Sequence, residues 1–479
     1  MEVVQIVSRE TIKPAGNCRT KLKNDQKTFK VSFMDMLSPE CYIPITFFYP
    51  MNETNCHFNK EETTCRLKLS LSKALAQFPI LAARIKGNLI HSYDGDEDED
   101  EDEDDIIIGA LFVDANIQIT MAEFLKSPNL NLLPKFLPFP FLSNQPLERA
   151  MQIGVQVNFF SCGGIGIGLS LLHTLIDATT MSCFIKCWAA FSEDEGILFE
   201  KLGCGGGDYS VTCSLFPYRE ISDGFRLISS ETPFVVEKGK KSTTRRFYFD
   251  GKAISNLKEK AKSTRAPNPT TVEVTTCFIW KYAMKAASRC KSLDVNKERR
   301  SFANSEWQSV LVHIVNMRKR INPPLSENNI GNIYWRSCAY FKSLSNKDTH
   351  LTDLQTILRQ SISEINNKNF IQQAITSQTT LLSSLRRLHR HYAKCSESYL
   401  FTSWRNMGFN EVNFGWGKPV WVAAGGNVFD SITRNLVILM DTMVGNGLEA
   451  WVVLDDETMN LLENDYEFLQ FASPNPSIC

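Results

Sequence analysis

Apolar and polar positions along the 479 residues follow two periods, and the period changes many times. Phe29 to Pro50 ends in the apolar string Ile43 to Tyr49, which predicts a buried strand. Leu67, Leu71, Leu75 and Phe78 recur at helical spacing and predict an amphipathic helix over Leu67 to Arg84, ending near Pro79. Ile106 to Val113 returns to strand. Gln152 to Phe160 alternates, Ser161 to Gly164 has turn composition, and Ile165 to Leu172 is apolar again, so the two runs predict a hairpin. Met181, Phe184, Ile185 and Trp188 place a helix from Ile176 to about Phe191.

Gly203 to Lys241 lacks periodicity and reads as a long crossover. Beyond it come a strand at Arg245 to Phe249, helices at Ile254 to Ala261 and Thr271 to Ala287, and a strand at Val310 to Val315. A long helix is expected over Asp353 to Tyr392. Strands follow near Tyr399 to Trp404, Pro419 to Ala423, Ile432 to Asp441 and Leu448 to Leu454, then a final helix over Asp456 to Phe471. Strands and helices mix without strict alternation, which predicts an α+β fold rather than a doubly wound parallel sheet. The expected units are residues 1–210, a crossover at 211–244, and residues 245–479.

Net charge is −1, so no global field marks a nucleic-acid binder. That neutrality is a cancellation. Asp96 to Asp105 is an unbroken run of ten carboxylates, and without it 52 basic residues face 43 acidic ones. A run of like charges cannot share a packed surface, so it reads as a solvated, tolerated insertion rather than a cation or basic-partner site. No stretch is long and apolar enough to span a membrane, and no secretory signal is read in MEVVQIVSRE. The 14 cysteines are scattered, with no C-x-x-C, so no metal site is expected. Reduced thiols in a cytoplasmic protein are the simplest expectation.

The most informative local feature is His173-Thr-Leu-Ile-Asp177, placed where a buried strand ends and a helix begins. An imidazole there is a natural general base near neutral pH. The pattern is weak alone, and Asp177 also suits a helix N-cap. The glycines of Cys162-Gly-Gly-Ile-Gly-Ile-Gly168 lack the middle glycine of a dinucleotide fingerprint, so they read as a turn and close strand packing. Cys162 is a minor candidate nucleophile. Asn413-Phe-Gly-Trp-Gly417 describes a tight aromatic loop. Upstream, Thr402 and Trp404 share one face of a strand and offer two donors for a developing oxyanion, or simply a polar strand surface.

Together these motifs resemble the two signatures of the plant BAHD acyl-CoA-dependent acyltransferases, and the group containing alkaloid acetyltransferases in particular. Further matches run along nearly the whole chain: Ser32 and Asp35, Leu71-Ser-Lys-Ala-Leu75 to Arg84, Asn316-Met-Arg318 with Pro323-Pro324 and Gly331-Asn332, Asp441 to Trp451, and Phe471-Ala-Ser473. The resemblance implies two chloramphenicol-acetyltransferase-like domains with a channel between them. It implies His173 as general base, Thr402 and Trp404 as oxyanion support, and a structural Asp177–Arg318 ion pair. Asn413, Gly415 and Trp416 become a structural loop, Asn332 and Leu172 pocket residues, and Thr270 and Thr271 neighbours of CoA. The implied substrates are an acyl-CoA, acetyl-CoA above others, and a small-molecule acceptor, with no bound cofactor, metal, nucleic acid or membrane, in a monomer.

Asn413 stands where the family carries aspartate, and Leu172 where a small polar residue is common. The rival readings are malonyl or another short acyl group on an alkaloid, terpenoid or phenolic acceptor, a non-catalytic binding protein of the same fold, and a scaffold acting through its acidic run.

Overall fold

The computed structural model describes residues 3–16, 28–50, 59–91, 108–193, 206–220, 240–293, 307–343, 349–377, 379–430, 432–443 and 445–478. The acidic run and much of the expected crossover lie outside these residues.

The first half supplies β1 (Val4–Ile12), β2 (Thr28–Lys30), β3 (Tyr42–Tyr49), β4 (Arg84–Lys86), β5 (Leu89–His91), β6 (Ala110–Ile117), β7 (Ile153–Phe160) and β8 (Ile165–Leu172). The second supplies β9 (Ser242–Phe249), β10 (Trp307–Asn316), β11 (Tyr334–Ser343), β12 (Glu397–Ser403), β13 (Trp421–Ala423), β14 (Leu436–Asp441), β15 (Leu448–Asp455) and β16 (Ser473–Pro474). One six-stranded sheet has the order β1-β6-β7-β8-β3-β13, and a seven-stranded sheet the order β11-β10-β12-β14-β15-β9-β16. A small third sheet joins β2, β5 and β4. The fold is α+β, with two sheet-containing domains.

β13 belongs to the second half in sequence but pairs antiparallel with β3 of the first, Trp421 opposite Phe48. The two halves are therefore stitched by backbone as well as side chains. Every residue of β3, β7 and β8 is buried. That explains the apolar runs of β3 and β8, since a strand covered on both faces has no solvent side to mark, while β7 buries Gln156 and Asn158 with hydrogen bonds. Two helices, Lys60–Gln77 and Ala178–Glu193, cross on this core, and Trp188 Nε1 donates to Leu67 O at 3.1 Å.

The β7–β8 hairpin is as read from sequence. The expected long helix is instead three, Leu351–Ile365, Lys368–Thr376 and Thr379–Tyr392. Asn367 ends the continuity: its side chain accepts from Asn369 N at 2.9 Å and caps a new helix. Short amides compete with the helix ladder in this way. Likewise Asp465 splits the expected final helix into Asp456–Glu463 and Tyr466–Leu469 by capping Glu467 N and Phe468 N. The strand expected from Ile106 is β6, starting at Ala110. β1 and β11 were not expected from the pattern, and β11 matters because it carries one wall of the site.

Candidate active site

β8 positions His173. Its last residue, Leu172, pairs with Tyr42, and the ladder continues as His173 N donates to Cys41 O at 2.7 Å. The imidazole emerges between the two sheets into a cavity of about 900 Å³. Thr402 and Trp404, at the end of β12, line the same cavity, as do Tyr334 and Arg336 of β11.

Asn332 stands behind the imidazole, with Oδ1 3.1 Å from His173 Nδ1. Its amide nitrogen faces three acceptors: Asp35 Oδ1 at 2.8 Å, His173 O at 2.8 Å and Thr174 O at 2.9 Å. With nitrogen committed there, the group meeting Nδ1 is the carbonyl oxygen, which only accepts. Nδ1 therefore carries the proton, and Nε2 keeps its lone pair for the cavity. Burial holds the imidazole below its usual pKa of 6.5, and the Arg336 charge adds to this against opposing effects of Asp177 and Asn332. The ring is a neutral base at physiological pH.

Asp177 borders the same cavity, but its carboxylate is committed to structural partners. Its Oδ2 accepts from Arg318 Nη1 at 2.6 Å and its Oδ1 from Arg318 Nη2 at 3.1 Å. It also caps Thr180 N at 2.8 Å and holds Ile333 N at 3.1 Å. The arginine is buried and also donates to Asn329 O and Gly331 O. Gly331 has φ +114°, and a Cβ there would meet Thr212 Cγ2 at 2.9 Å. This tight turn presents Asn332 to the imidazole.

The remaining expected site residues divide. Leu172 is 1% exposed, packed with Tyr42 and Ala150, and outside the cavity wall. Strand alternation explains the correction, because a His facing the cavity turns its neighbour away. Asn332 is likewise not a wall residue; it holds the His173 imidazole from behind. Thr270 and Thr271 also lie outside the wall. Thr270 caps the Thr271–Leu293 helix, exchanging hydrogen bonds with Glu273, which is a helix-terminal duty. Cys162 sits at the far end of β8 from His173, roughly 25 Å of extended strand away. Cys41 does line the cavity, but burial pushes its thiol up to about 12, away from the thiolate form.

The Asn413 loop also lies off the cavity. Asn413 Oδ1 accepts from Gly415 N at 2.9 Å and Gly417 N at 2.8 Å. Gly415, at φ +103°, allows the tight turn, and Arg66 lies over the Trp416 ring at 4.9 Å. Asn413 Nδ2 donates to Glu193 Oε1 at 2.6 Å. An aspartate would keep the loop contacts but face Glu193 as a second carboxylate. Asn413→Asp should therefore lower stability by about 1 kcal/mol, seen in thermal denaturation, with turnover within about threefold of wild type. A hundredfold loss of turnover at unchanged melting temperature would contradict this.

Sequence reasoning missed Tyr334, Arg336 and Tyr209. Tyr334 lies 5.8 Å from the His173 ring, centroid to centroid, and its hydroxyl meets Ser38 Oγ at 3.3 Å. Arg336 donates to Leu37 O at 3.0 Å. Trp335, Ser337, Ala339 and Phe341 are the buried face of the strand that carries Tyr334 and Arg336, and Tyr209 precedes the Ser210–Leu215 helix.

The model described as the Transferase family matches residues 2–469. Akuammiline synthase 2 of Alstonia scholaris is 31% identical, over 99% of this chain and 98% of that one. Stemmadenine O-acetyltransferase of Catharanthus roseus is 28% identical, over 97% of each. The crystal structure of vinorine synthase matches with a TM-score of 0.73 at 26% identity, covering 98% of both chains. The chain belongs to this transferase family, the BAHD acyltransferases. It is an acyltransferase, with an acyl-CoA and a small-molecule acceptor as its substrates. Among the described residues no helix is long and apolar enough to cross a membrane.

Proposed function

We propose that this chain transfers an acetyl group from acetyl-CoA to a hydroxyl of an alkaloid. The observation that carries the reading is the neutral, tautomer-fixed His173 facing a cavity that Thr402 and Trp404 also line. Nε2 takes the proton of the acceptor hydroxyl as its oxygen attacks the thioester carbonyl. Charge then develops on the carbonyl oxygen, where the Thr402 hydroxyl and the Trp404 indole N–H give support. The tetrahedral intermediate collapses, the carbon–sulfur bond breaks, and the imidazolium returns its proton to the leaving CoA thiolate. Asp177 stays a structural group throughout.

Relatives named for akuammiline and stemmadenine support an alkaloid acceptor. The cavity rim supports it too. The isolated bridge between Cys41 and Leu142 brings Glu40 beside the loop that carries Glu148. Both glutamates are exposed cavity-lining residues, and Leu142 between them is 46% exposed. Carboxylates beside an apolar lip suit an amphipathic amine. Replacing both with glutamine should raise KM for a tertiary-amine alcohol about fivefold, near 1 kcal/mol of surface Coulomb energy, and leave a neutral alcohol unaffected. An equal change for both acceptors would remove this support.

The deciding experiment is CoA release from purified protein. Acetyl-CoA and malonyl-CoA are each offered with amine-bearing alkaloid alcohols, neutral terpenoid alcohols and phenolic alcohols. Release is expected with acetyl-CoA, dependent on an alkaloid alcohol and on His173. Preference for malonyl-CoA or for neutral acceptors would replace the substrate assignment. Acyl-CoA binding without acceptor-dependent release across the panel would favour a binding protein of this fold.

A further inference from the structure

Behind Asn332 lies a carboxylate that the reaction described above does not use. Asp35 is fully buried, on the short Phe33–Met36 helix of the first half. Its Oδ1 accepts from both nitrogens of Asn332, backbone at 2.7 Å and side chain at 2.8 Å. Its Oδ2 accepts from Ser32 Oγ at 2.5 Å and Tyr209 OH at 2.7 Å. Tyr209 in turn accepts from Ser32 N at 2.9 Å. The line of hydrogen bonds thus runs Tyr209, Asp35, Asn332, His173. Its members come from four separate segments of the chain, and from both halves of the molecule.

We propose that Asp35 is a positioning residue that sets the orientation and basicity of His173 through the Asn332 amide. The amide does a particular job in this line. A carboxylate bonded directly to Nδ1–H would place a full charge beside the ring and raise the imidazole pKa. An amide fixes the same tautomer without placing a full charge on the ring. The Asp35 charge one hydrogen bond further back polarises that amide, so its oxygen is a better acceptor and Nε2 a better base. Burial, the strongest influence, holds the Asp35 carboxyl above its usual range, while the four donors from Ser32, Tyr209 and Asn332 on its two oxygens favour the charged form. Tyr209 is kept in its donating form by burial and by Asp35 itself. The other ionisable groups facing this line are Cys213 beside Asp35 with Asp208 next to it, and Asp177, Arg336, Tyr334 and Cys41 around the imidazole. Cys213 is pushed up to about 12 and stays neutral, and Asp177 is already taken by Arg318. Asp35 is thus the carboxylate wired to the ring through Asn332.

The inference rests on His173 as general base, so His173→Ala is measured alongside. Retained turnover in that variant would remove the base itself, and Asp35 with it. Given a working base, Asp35→Asn is the test. The amide oxygen can still accept from Asn332, and its NH2 faces the Ser32 and Tyr209 oxygens, which can accept. The charge alone is lost. The acid limb of the kcat/KM profile should move to lower pH by about half a unit. Turnover at neutral pH should fall about tenfold, with KM for acyl-CoA and acceptor within about twofold. Asn332→Asp is the complementary variant and carries the test alone should Asp35→Asn not fold. Its carboxylate shares one proton with Asp35, which brings the same charge one hydrogen bond nearer the ring, and the acid limb should move upward. A folded Asp35→Asn enzyme with wild-type kcat and an unmoved acid limb would overturn the proposal. So would an Asn332→Asp profile that is unmoved or moves down.

Discussion

Replacing His173 with alanine should lower kcat/KM by about 10² to 10⁴ while acyl-CoA still binds. The size follows from what the side chain offers. Nδ1–H is committed to Asn332, so Nε2 is the nitrogen that can take a proton in the cavity. Arg336 presents N–H donors alone, and the two rim glutamates stand exposed at the lip of the cavity. Residual turnover should survive, because Thr402 and Trp404 remain to meet charge on the carbonyl oxygen and the cavity still aligns the substrates. The pH dependence has a definite sign. Burial lowers the His173 pKa, so the base form dominates at neutral pH. Turnover should be flat from neutrality upward and fall on the acid side, with an apparent pKa below 6.5. Stopped-flow CoA release and isothermal titration with a non-transferable CoA analogue would separate chemistry from binding. Unchanged turnover in a folded His173→Ala enzyme, or an acid limb well above 6.5, would remove the imidazole from the mechanism.

How much of this was legible before the structure depends on which residues are asked about. His173 and Asp177 sit where a doubly buried strand becomes a helix, and the apolar run of β8 followed by helical spacing marks that junction in sequence. The Asp177–Arg318 partners are 141 positions apart and meet at 2.6 Å, a contact that only the motif resemblance could suggest. The Asp35–Asn332 contact, 297 positions apart, left no such trace. Ser32-x-x-Asp35 looks like an ordinary helix start, and Ser32 does cap Asp35 N at 3.2 Å. The local signal and the long-range use coexist in the same four residues. Leu172 was misplaced for a related reason. Adjacency in sequence suggested adjacency in the pocket, but a strand sends neighbours to opposite faces. The helix breaks at Asn367 and Asp465 were visible as capping residues, and helical periodicity outweighed them in the reading. β13 was recognised as a strand, but its defection to the other half's sheet is a property of tertiary packing.

Breaking the Asp177–Arg318 pair should cost more stability than any other single change considered, about 3–5 kcal/mol for loss of either partner. Both side chains are buried, Arg318 at 1% and Asp177 at 5% exposure. The guanidinium donates to Thr180 Oγ1 near the helix start and to the Asn329 and Gly331 carbonyls, so it ties the first half to the turn that presents Asn332. Removing Asp177 leaves an unpaired buried cation with two of its hydrogen bonds gone. Removing Arg318 leaves a buried carboxylate held by backbone N–H groups alone. Arg318→Met and Asp177→Leu should each reduce the denaturant midpoint sharply. The double variant should lose markedly less than their sum, because no lone charge remains to be desolvated. Activity discriminates the structural role from a catalytic one. Asp177→Asn keeps the shape and part of the bonding, and its turnover per folded molecule should stay within about tenfold of wild type, far above His173→Ala. Chemical denaturation gives the folded fraction, and CoA release normalised to it gives the turnover. If Asp177→Asn falls as far as His173→Ala while fully folded, the carboxylate acts on the chemistry and not through the fold. If the two single losses simply add, the pair is not the coupled unit that its geometry describes.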